Sequence, residues 1–366
     1  MTSYRLAALS LALALPFLSP GSATAGFDEG VAAYQRGDYR TAFREFMPLA
    51  VAGDSSARVS IGLMYDSGQG VPQDYAEALH WFRMAADQGD ASGQFNLGVM
   101  YDLGQGVPQN YAEAARWYRM AADQGNAEAQ TNLGAMYGRG EGVRQDFAEA
   151  ARWWRRAADQ GFAEPQNNLG VLYARGEGVP QNYAEAMRWY RMAAVQGLAL
   201  AQFNLGSMYD HGKGVPQNYA EAARWYRMAA EQGNADAQFN LGVAYGLGQG
   251  VPQDYVQAYV WLNLAAARSD REGRKLAAEA RDQVAALLTP VQRARGQDLA
   301  RNWRPESQSG SGVASPPRVL TDEEVLGKSA AVEDVQAQLA ALGYNPGPAD
   351  GVMGAENPRR ASGLPG

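Results

Sequence analysis

Residues 106–122 read GVPQNYAEAARWYRMAA, and residues 214–230 repeat the phrase letter for letter. Near-copies start at Gly70, Gly142, Gly178 and Gly250. The register between copies is constant. Gly62, Gly98, Gly134, Gly170, Gly206 and Gly242 are each 36 residues apart, and so are Trp81, Trp117, Trp153, Trp189, Trp225 and Trp261. A fixed period of this length means stacked supersecondary units, each of which buries its apolar face only against its neighbours.

Residues 90–125 show what one unit contains. Gln94, Leu97, Gly98 and Tyr101 recur at i, i+3, i+4 and i+7, which predicts a helix (helix A) over about 91–103. Gly104-Gln105-Gly106 ends it, because glycine tolerates the left-handed conformation that closes a helix, and Pro108 holds Val107 extended. Helix B opens at Asn110, with Glu113 three residues later. This is the spacing of a capping box, in which the Asn oxygen takes a first-turn N–H and the Glu reaches back. The pair recurs as Asp74/Glu77, Asp146/Glu149, Asn182/Glu185, Asn218/Glu221 and Asp254/Gln257. Tyr111, Ala114, Trp117, Tyr118 and Ala121 then share one face, and Gln124-Gly125 stops the helix. The short link to the next helix A forces close antiparallel neighbours. Gly98 and Ala114 lack bulk where the helices must approach, and Tyr101 and Trp117 fill the space between layers. The fold class read from this pattern is an all-α solenoid of stacked α-hairpins.

The combination A-x-x-x-L-G-x-x-Y, then G-x-G-V-P-x-[DN]-Y-x-x-A-x-x-W, then A-A and Q-G resembles the Sel-one-like repeat (SLR) family, related to tetratricopeptide repeats. Here it stands, for example, as Leu133-Gly134, Tyr137, Gly140-Glu141-Gly142-Val143, Ala150, Trp153-Trp154, Ala157-Ala158 and Gln160-Gly161. The resemblance covers roughly residues 27–303. It implies a right-handed superhelix with helix A lining the concave surface, and a scaffold or adaptor role, in bacteria often at the cell envelope. Some secreted members brace each repeat with a disulfide; this chain has no cysteine. Departures are few: Arg144 replaces the loop proline, Pro165 sits in the first turn of a helix A, and His80 replaces an arginine found at 116, 152, 188 and 224.

The ends differ from the array. Residues 1–25 carry one charge, Arg5, then an almost unbroken Leu/Ala run from Leu6 to Leu18 and an Ala23-Thr24-Ala25 exit, the pattern of a secretory signal peptide. The run is too short to span a bilayer. The expectation is a secreted, periplasmic protein without an integral membrane segment once the leader is removed. Residues 26–54 read as a tetratricopeptide-like N-terminal capping hairpin with a short turn. Residues 55–268 form six 36-residue units, and 269–304 two C-terminal capping helices with Trp303 as a closing contact. Residues 305–328 are a Ser/Gly/Pro-rich linker. In 329–366, Leu342-Gly343-Tyr344-Asn345-Pro346-Gly347 and Asp350-Gly351-Val352-Met353-Gly354 resemble the front half of a small peptidoglycan-binding domain. The match stops at Gly354, so the segment reads as truncated.

The composition excludes several chemistries. Without cysteine there is neither a disulfide framework nor thiol catalysis. Without the leader the chain carries 31 basic and 39 acidic residues, a formal charge of −8, which argues against nucleic-acid partners. His80 and His211 have no metal-ligand spacing around them, one expected on a helix surface and the other in a loop; no cofactor is called for. The Glu113/Arg116 pair and its copies read as solvated ion pairs, and the G-x-G loops lack the remainder of a phosphate-binding motif. The chain is read as no enzyme; a hydrolase hidden in the array has no residues to carry it.

Identical positions hold a fold, so the positions that vary between copies are the place to look for recognition. On helix A these are Phe95, Val99 and Asp102; Thr131; Asn167; Phe203, Ser207 and Asp210; and Phe239 and Val243. They form a candidate groove for a protein or peptide partner, or else pack between helices. The function read from the sequence is a periplasmic scaffold for protein–protein interaction. The alternative is a cell-wall-associated factor that localises or regulates peptidoglycan enzymes, with peptidoglycan as a further partner through 329–366.

Overall fold

The computed structural model describes residues 25–305. The leader, the linker and the terminal segment read from the sequence lie almost wholly outside them. The described residues hold sixteen α-helices and no strand. The N-terminal hairpin is α1 (Ala25–Gln35) and α2 (Tyr39–Ala52). The A helices of the six units are α3 (Ser55–Ser67), α5 (Ala91–Leu103), α7 (Ala127–Arg139), α9 (Ala163–Arg175), α11 (Ala199–His211) and α13 (Ala235–Leu247). Their B partners are α4 (Tyr75–Asp87), α6 (Tyr111–Asp123), α8 (Phe147–Asp159), α10 (Tyr183–Val195), α12 (Tyr219–Glu231) and α14 (Tyr255–Arg268). The chain ends with α15 (Arg271–Ala286) and α16 (Pro290–Asn302). The chain divides into two compact units, one running to Ala201 and the other from Gln202 to Ser307.

Every B helix is capped where the sequence places its cap, but the box is half formed. Asn110 Oδ1 accepts from the N–H groups of Ala112 and Glu113 at 3.1 and 3.2 Å. The Glu113 carboxylate turns away to Arg116 at 3.4 Å instead of reaching back. The reciprocal arrangement is complete at Thr289 and Gln292, which open α16. The A helices α3, α5, α7 and α13 have caps of their own at Asp54, Asp90, Asn126 and Asn234. Helix α9 lacks one. Phe162 stands at its cap position and gives no side-chain hydrogen bond.

The two glycines of each loop do different work. Gly104, at φ 69°, closes α5, its N–H bonded to Met100. Gly106, at φ 68°, lies beyond that closure. A Cβ there would stand 2.5 Å from the Tyr75 carbonyl oxygen, at the start of the previous unit's B helix. The first letter of the repeated phrase is therefore a docking point between repeats rather than a helix stop.

In the N-terminal compact unit the core lies in the seams. One cluster joins Phe82 and Ala85 of α4 to Leu97 and Met100 of α5 and is closed by Trp117 of α6. The next joins Ala114, Tyr118 and Ala121 of α6 to Leu133 and Met136 of α7 and is closed by Trp153 of α8. The first, on α1, α2 and α3, is closed in the same way by Trp81 of α4. Each tryptophan thus roofs a core built by the preceding B helix and its own A helix. Within a hairpin the helices touch where the sequence provides a glycine: a Cβ at Gly98 would stand 2.7 Å from the Tyr118 ring.

A hydrogen-bond ladder runs beside this packing. Gln130 on α7 donates to the Ala122 carbonyl near the end of α6 at 3.0 Å, and its oxygen accepts from Gln160, which follows α8, at 2.8 Å. Gln160 also bonds the Gly125 carbonyl of the previous unit. Gln166 and Gln196 repeat the pattern one unit on. The glutamine of the Q-G junction, read from the sequence as turn chemistry, is a rung of this ladder.

The C-terminal compact unit is described by itself. Phe239 and Val243 of α13, Tyr259 and Leu262 of α14, and Leu276 and Val284 of α15 form its main core. Trp303 packs edge-on against Trp261 at 6.3 Å, and Arg268 lies over its ring at 4.4 Å. The closing contact expected of Trp303 is made.

Two outcomes follow for equilibrium unfolding. Gly106→Ala should destabilise by roughly 1–3 kcal/mol. It should cost more than Gly125→Ala, which also needs a left-handed backbone but meets open space. Equal losses would mean that the approach to Tyr75 carries no weight. Phe162→Asp should raise the unfolding midpoint by supplying the missing cap, worth about 1 kcal/mol; an unchanged midpoint contradicts that reading.

Candidate protein-binding face

The ten helix-A positions singled out by their variation do not form one open groove. In the N-terminal unit, Phe95, Val99 and Asp102 are half-buried, and Phe95 and Val99 pack against the core cluster that contains Tyr118. The Phe95 ring lies 5.8 Å from the Tyr118 ring, and the Tyr118 hydroxyl donates to Asp102 at 3.3 Å. Thr131 is buried, its hydroxyl donating to the Ala127 carbonyl, and Asn167 is buried. In the C-terminal unit, Phe203, Ser207 and Asp210 are half-buried. Phe203 stacks beside Tyr226 at 5.8 Å, and the Tyr226 hydroxyl donates to Asp210 at 3.1 Å. Phe239 and Val243 are core residues, 6% and 3% exposed.

The structure therefore brings two sets of three together, each around a buried tyrosine, and leaves the other four inside packing. Tyr118 and Tyr226 are held neutral: burial pushes both phenols well above their ordinary range, and the charge of Asp102 or Asp210 adds to it. Each phenol also meets an asparagine of the next A helix, Asn132 or Asn240. The sequence reading assigned these tyrosines to packing alone. The signal that could have found the polar link is the shared 16-residue separation of Asp102 from Tyr118 and of Asp210 from Tyr226.

The repeated charged pairs are structural. Glu113–Arg116, Glu185–Arg188 and Glu221–Arg224 are exposed and 3.0–3.5 Å apart. Each of these arginines also lies over the tryptophan that follows it, Arg116 over Trp117 at 4.9 Å. Exposed pairs of this kind contribute about 0.2–1 kcal/mol. His80 is exposed on α4, and His211 is the last residue of α11 rather than a loop residue. Among the described residues no cluster of His, Asp or Glu could hold a metal ion, and no helix is long and apolar enough to cross a membrane.

Comparison with known proteins agrees with this geometry. The Sel1 repeat profile matches residues 55–90, 91–126, 127–162, 165–198, 199–234 and 235–270. The chain is similar to a Sel1 repeat protein from Oxalobacter formigenes, with 36% identity over 66% of this chain and 100% of that one and a TM-score of 0.61. It is also similar to a protective antigen of uropathogenic Escherichia coli with an SLR fold, at 25% identity over 93% of this chain and 88% of that one, with a TM-score of 0.42. An immunity protein from Pseudomonas aeruginosa matches at 21% identity over 74% of this chain and 89% of that one, with a TM-score of 0.34. A search of curated proteins finds no match. With six consecutive units matched in register and the fold built from the same hairpins, the chain belongs to the Sel1 repeat family.

Proposed function

We propose that this chain is a periplasmic scaffold whose helix-A face holds a protein partner. Tandem Sel1 repeats are suited to protein–protein interaction. The observation that carries the finer reading is the division of labour within a unit. The constant residues are consumed by seams, caps and the glutamine ladder, whereas Phe95, Val99, Phe203 and Ser207 keep part of their surface open on helix A. The leader-like residues 1–25 support export, and the envelope is where an exported scaffold would meet its partner.

The experiment is affinity capture from envelope and cytosolic extracts of the source organism, with the full chain as bait and Val99→Lys/Ser207→Lys as the comparison. The unfolding midpoint of both baits is measured alongside. The expected result is a protein retained from the envelope extract by the parent chain, with retention falling by more than about tenfold in a variant that stays folded, the scale of a loss of ~1.4 kcal/mol. Equal retention by the folded variant would contradict the helix-A assignment. Retention from the cytosolic extract alone would contradict the location.

A further inference from the structure

The last helix of the array is the least covered. Helix α16 packs on α14, and only two small residues, Gly296 and Ala300, are buried. The other eleven residues of Pro290–Asn302 are exposed. Gly296 permits the approach: a Cβ there would stand 2.8 Å from the Tyr259 ring. Helix α6, of the same length, buries six residues. A helix of about thirteen residues is marginal on its own in water and is held chiefly by packing of its apolar face, so α16 has a second side to fill.

That side is both apolar and basic. Leu287, which follows α15, is 60% exposed, and Val291 and Leu299 of α16 are 79% and 42% exposed. Among the described residues no other stretch of thirteen holds three large apolar side chains so open. Val291, Arg295 and Leu299 stand at i, i+4 and i+8 on one side of the helix. An open cleft of about 540 Å³ adjoins this stripe, lined by Arg295, Asp298, Leu299, Asn302 and Trp303. Residues 290–304 hold four arginines and one aspartate, a net charge of +3 in a chain of net −7. The aspartate, Asp298, is paired with Arg301 at 3.5 Å, while Arg293 and Arg304 bond only backbone carbonyls.

The complement lies in the same chain. Val332, Val335, Leu339 and Leu342 recur at i, i+3, i+7 and i+10, the stripe with which one helix seats on another. Residues 321–342 hold five acids, Asp322, Glu323, Glu324, Glu333 and Asp334, against Lys328, a net charge of −4. No second apolar stripe at helical spacing follows in 343–366, so the segment has no partner helix beside it in sequence. Helix α16 is within reach. A Ser/Gly/Pro-rich chain of 26 residues, the length from 306 to 331, spans roughly 25–31 Å on average. Helix α16, at ~1.5 Å per residue, is about 20 Å long. A tether of this kind sets an effective concentration in the millimolar range. A second copy is a poorer match, since two α16 faces would bring +3 against +3.

We propose that residues 321–342 fold back on the open side of α16 and complete the C-terminal cap of the array. The apolar stripe of the segment covers Val291 and Leu299 and enters the cleft beside Trp303, and its acids lie against the net positive charge of α16, with Arg295 on the stripe itself. The apolar side of the segment that resembles a peptidoglycan-binding domain is thereby used within the chain.

The test is hydrogen–deuterium exchange of the full chain, read by mass spectrometry, for the parent and for Val335→Asp/Leu339→Asp. These substitutions lie outside the array, so its cores are untouched. Exchange of the backbone amides of 290–302 should be at least about tenfold faster in the variant, because opening of the helix no longer requires undocking. Exchange in α5 and α9 should not change. The control Ala337→Asp/Ala341→Asp adds the same charges off the stripe and should behave as the parent does. Val291→Asp/Leu299→Asp should in turn speed exchange within 332–342. Equal exchange of 290–302 in the parent and in Val335→Asp/Leu339→Asp would overturn the proposal, and so would an equal effect of the control. Protection of 290–302 that rises with protein concentration, together with a doubled mass by light scattering, would overturn it in favour of a second copy.

Discussion

A single helical hairpin of this chain cannot cover its own tryptophan. The ring of Trp117 roofs a core formed by α4 and α5, and the ring of Trp153 one formed by α6 and α7. Burying such a ring removes ~150–250 Å² from water, a gross gain of roughly 4–6 kcal/mol at ~25 cal/mol per Å². The gain is realised only when the preceding unit is in place. The indole N–H groups of Trp81, Trp117, Trp153, Trp189 and Trp225 find no hydrogen-bond partner in the protein. Each such group costs about 1–3 kcal/mol, less than the ring returns. Tryptophan is therefore held at this position by its area and not by its polar edge.

The rest of the repeat serves that seam. Gly106 lets the loop approach the backbone of the previous B helix, Gly98 lets the Tyr118 ring approach its own A helix, and Gln130 and Gln160 tie the end of one B helix to the next unit. Arg116 lies over Trp117 while bonding Glu113. Residues that look like catalytic pairs in the sequence are spent in this way. Freedom to vary is left to other positions of helix A, such as 95, 99 and 102 and their counterparts, where the units differ.

The fold was largely legible because its causes are local and repeated. Period, helix caps and small residues at close approaches can all be read from residues 90–125 and checked in the other copies. The capping box was over-read: Glu113 has a competitor, Arg116, three residues on, and an exposed ion pair wins over the backbone. The role of Gly106 was missed because its partner, Tyr75, lies in another unit. The candidate site was less legible for the same reason. Phe239 varies between copies yet is core, since α15 covers it.

The central claim is that stability resides in the seams between repeats. Equilibrium unfolding of arrays truncated from the C-terminal side to three, four, five and six units, each keeping the N-terminal hairpin, tests it most directly. The account predicts a midpoint that rises with every added unit and then levels off, as expected for nearest-neighbour coupling. A midpoint independent of the number of units would contradict it.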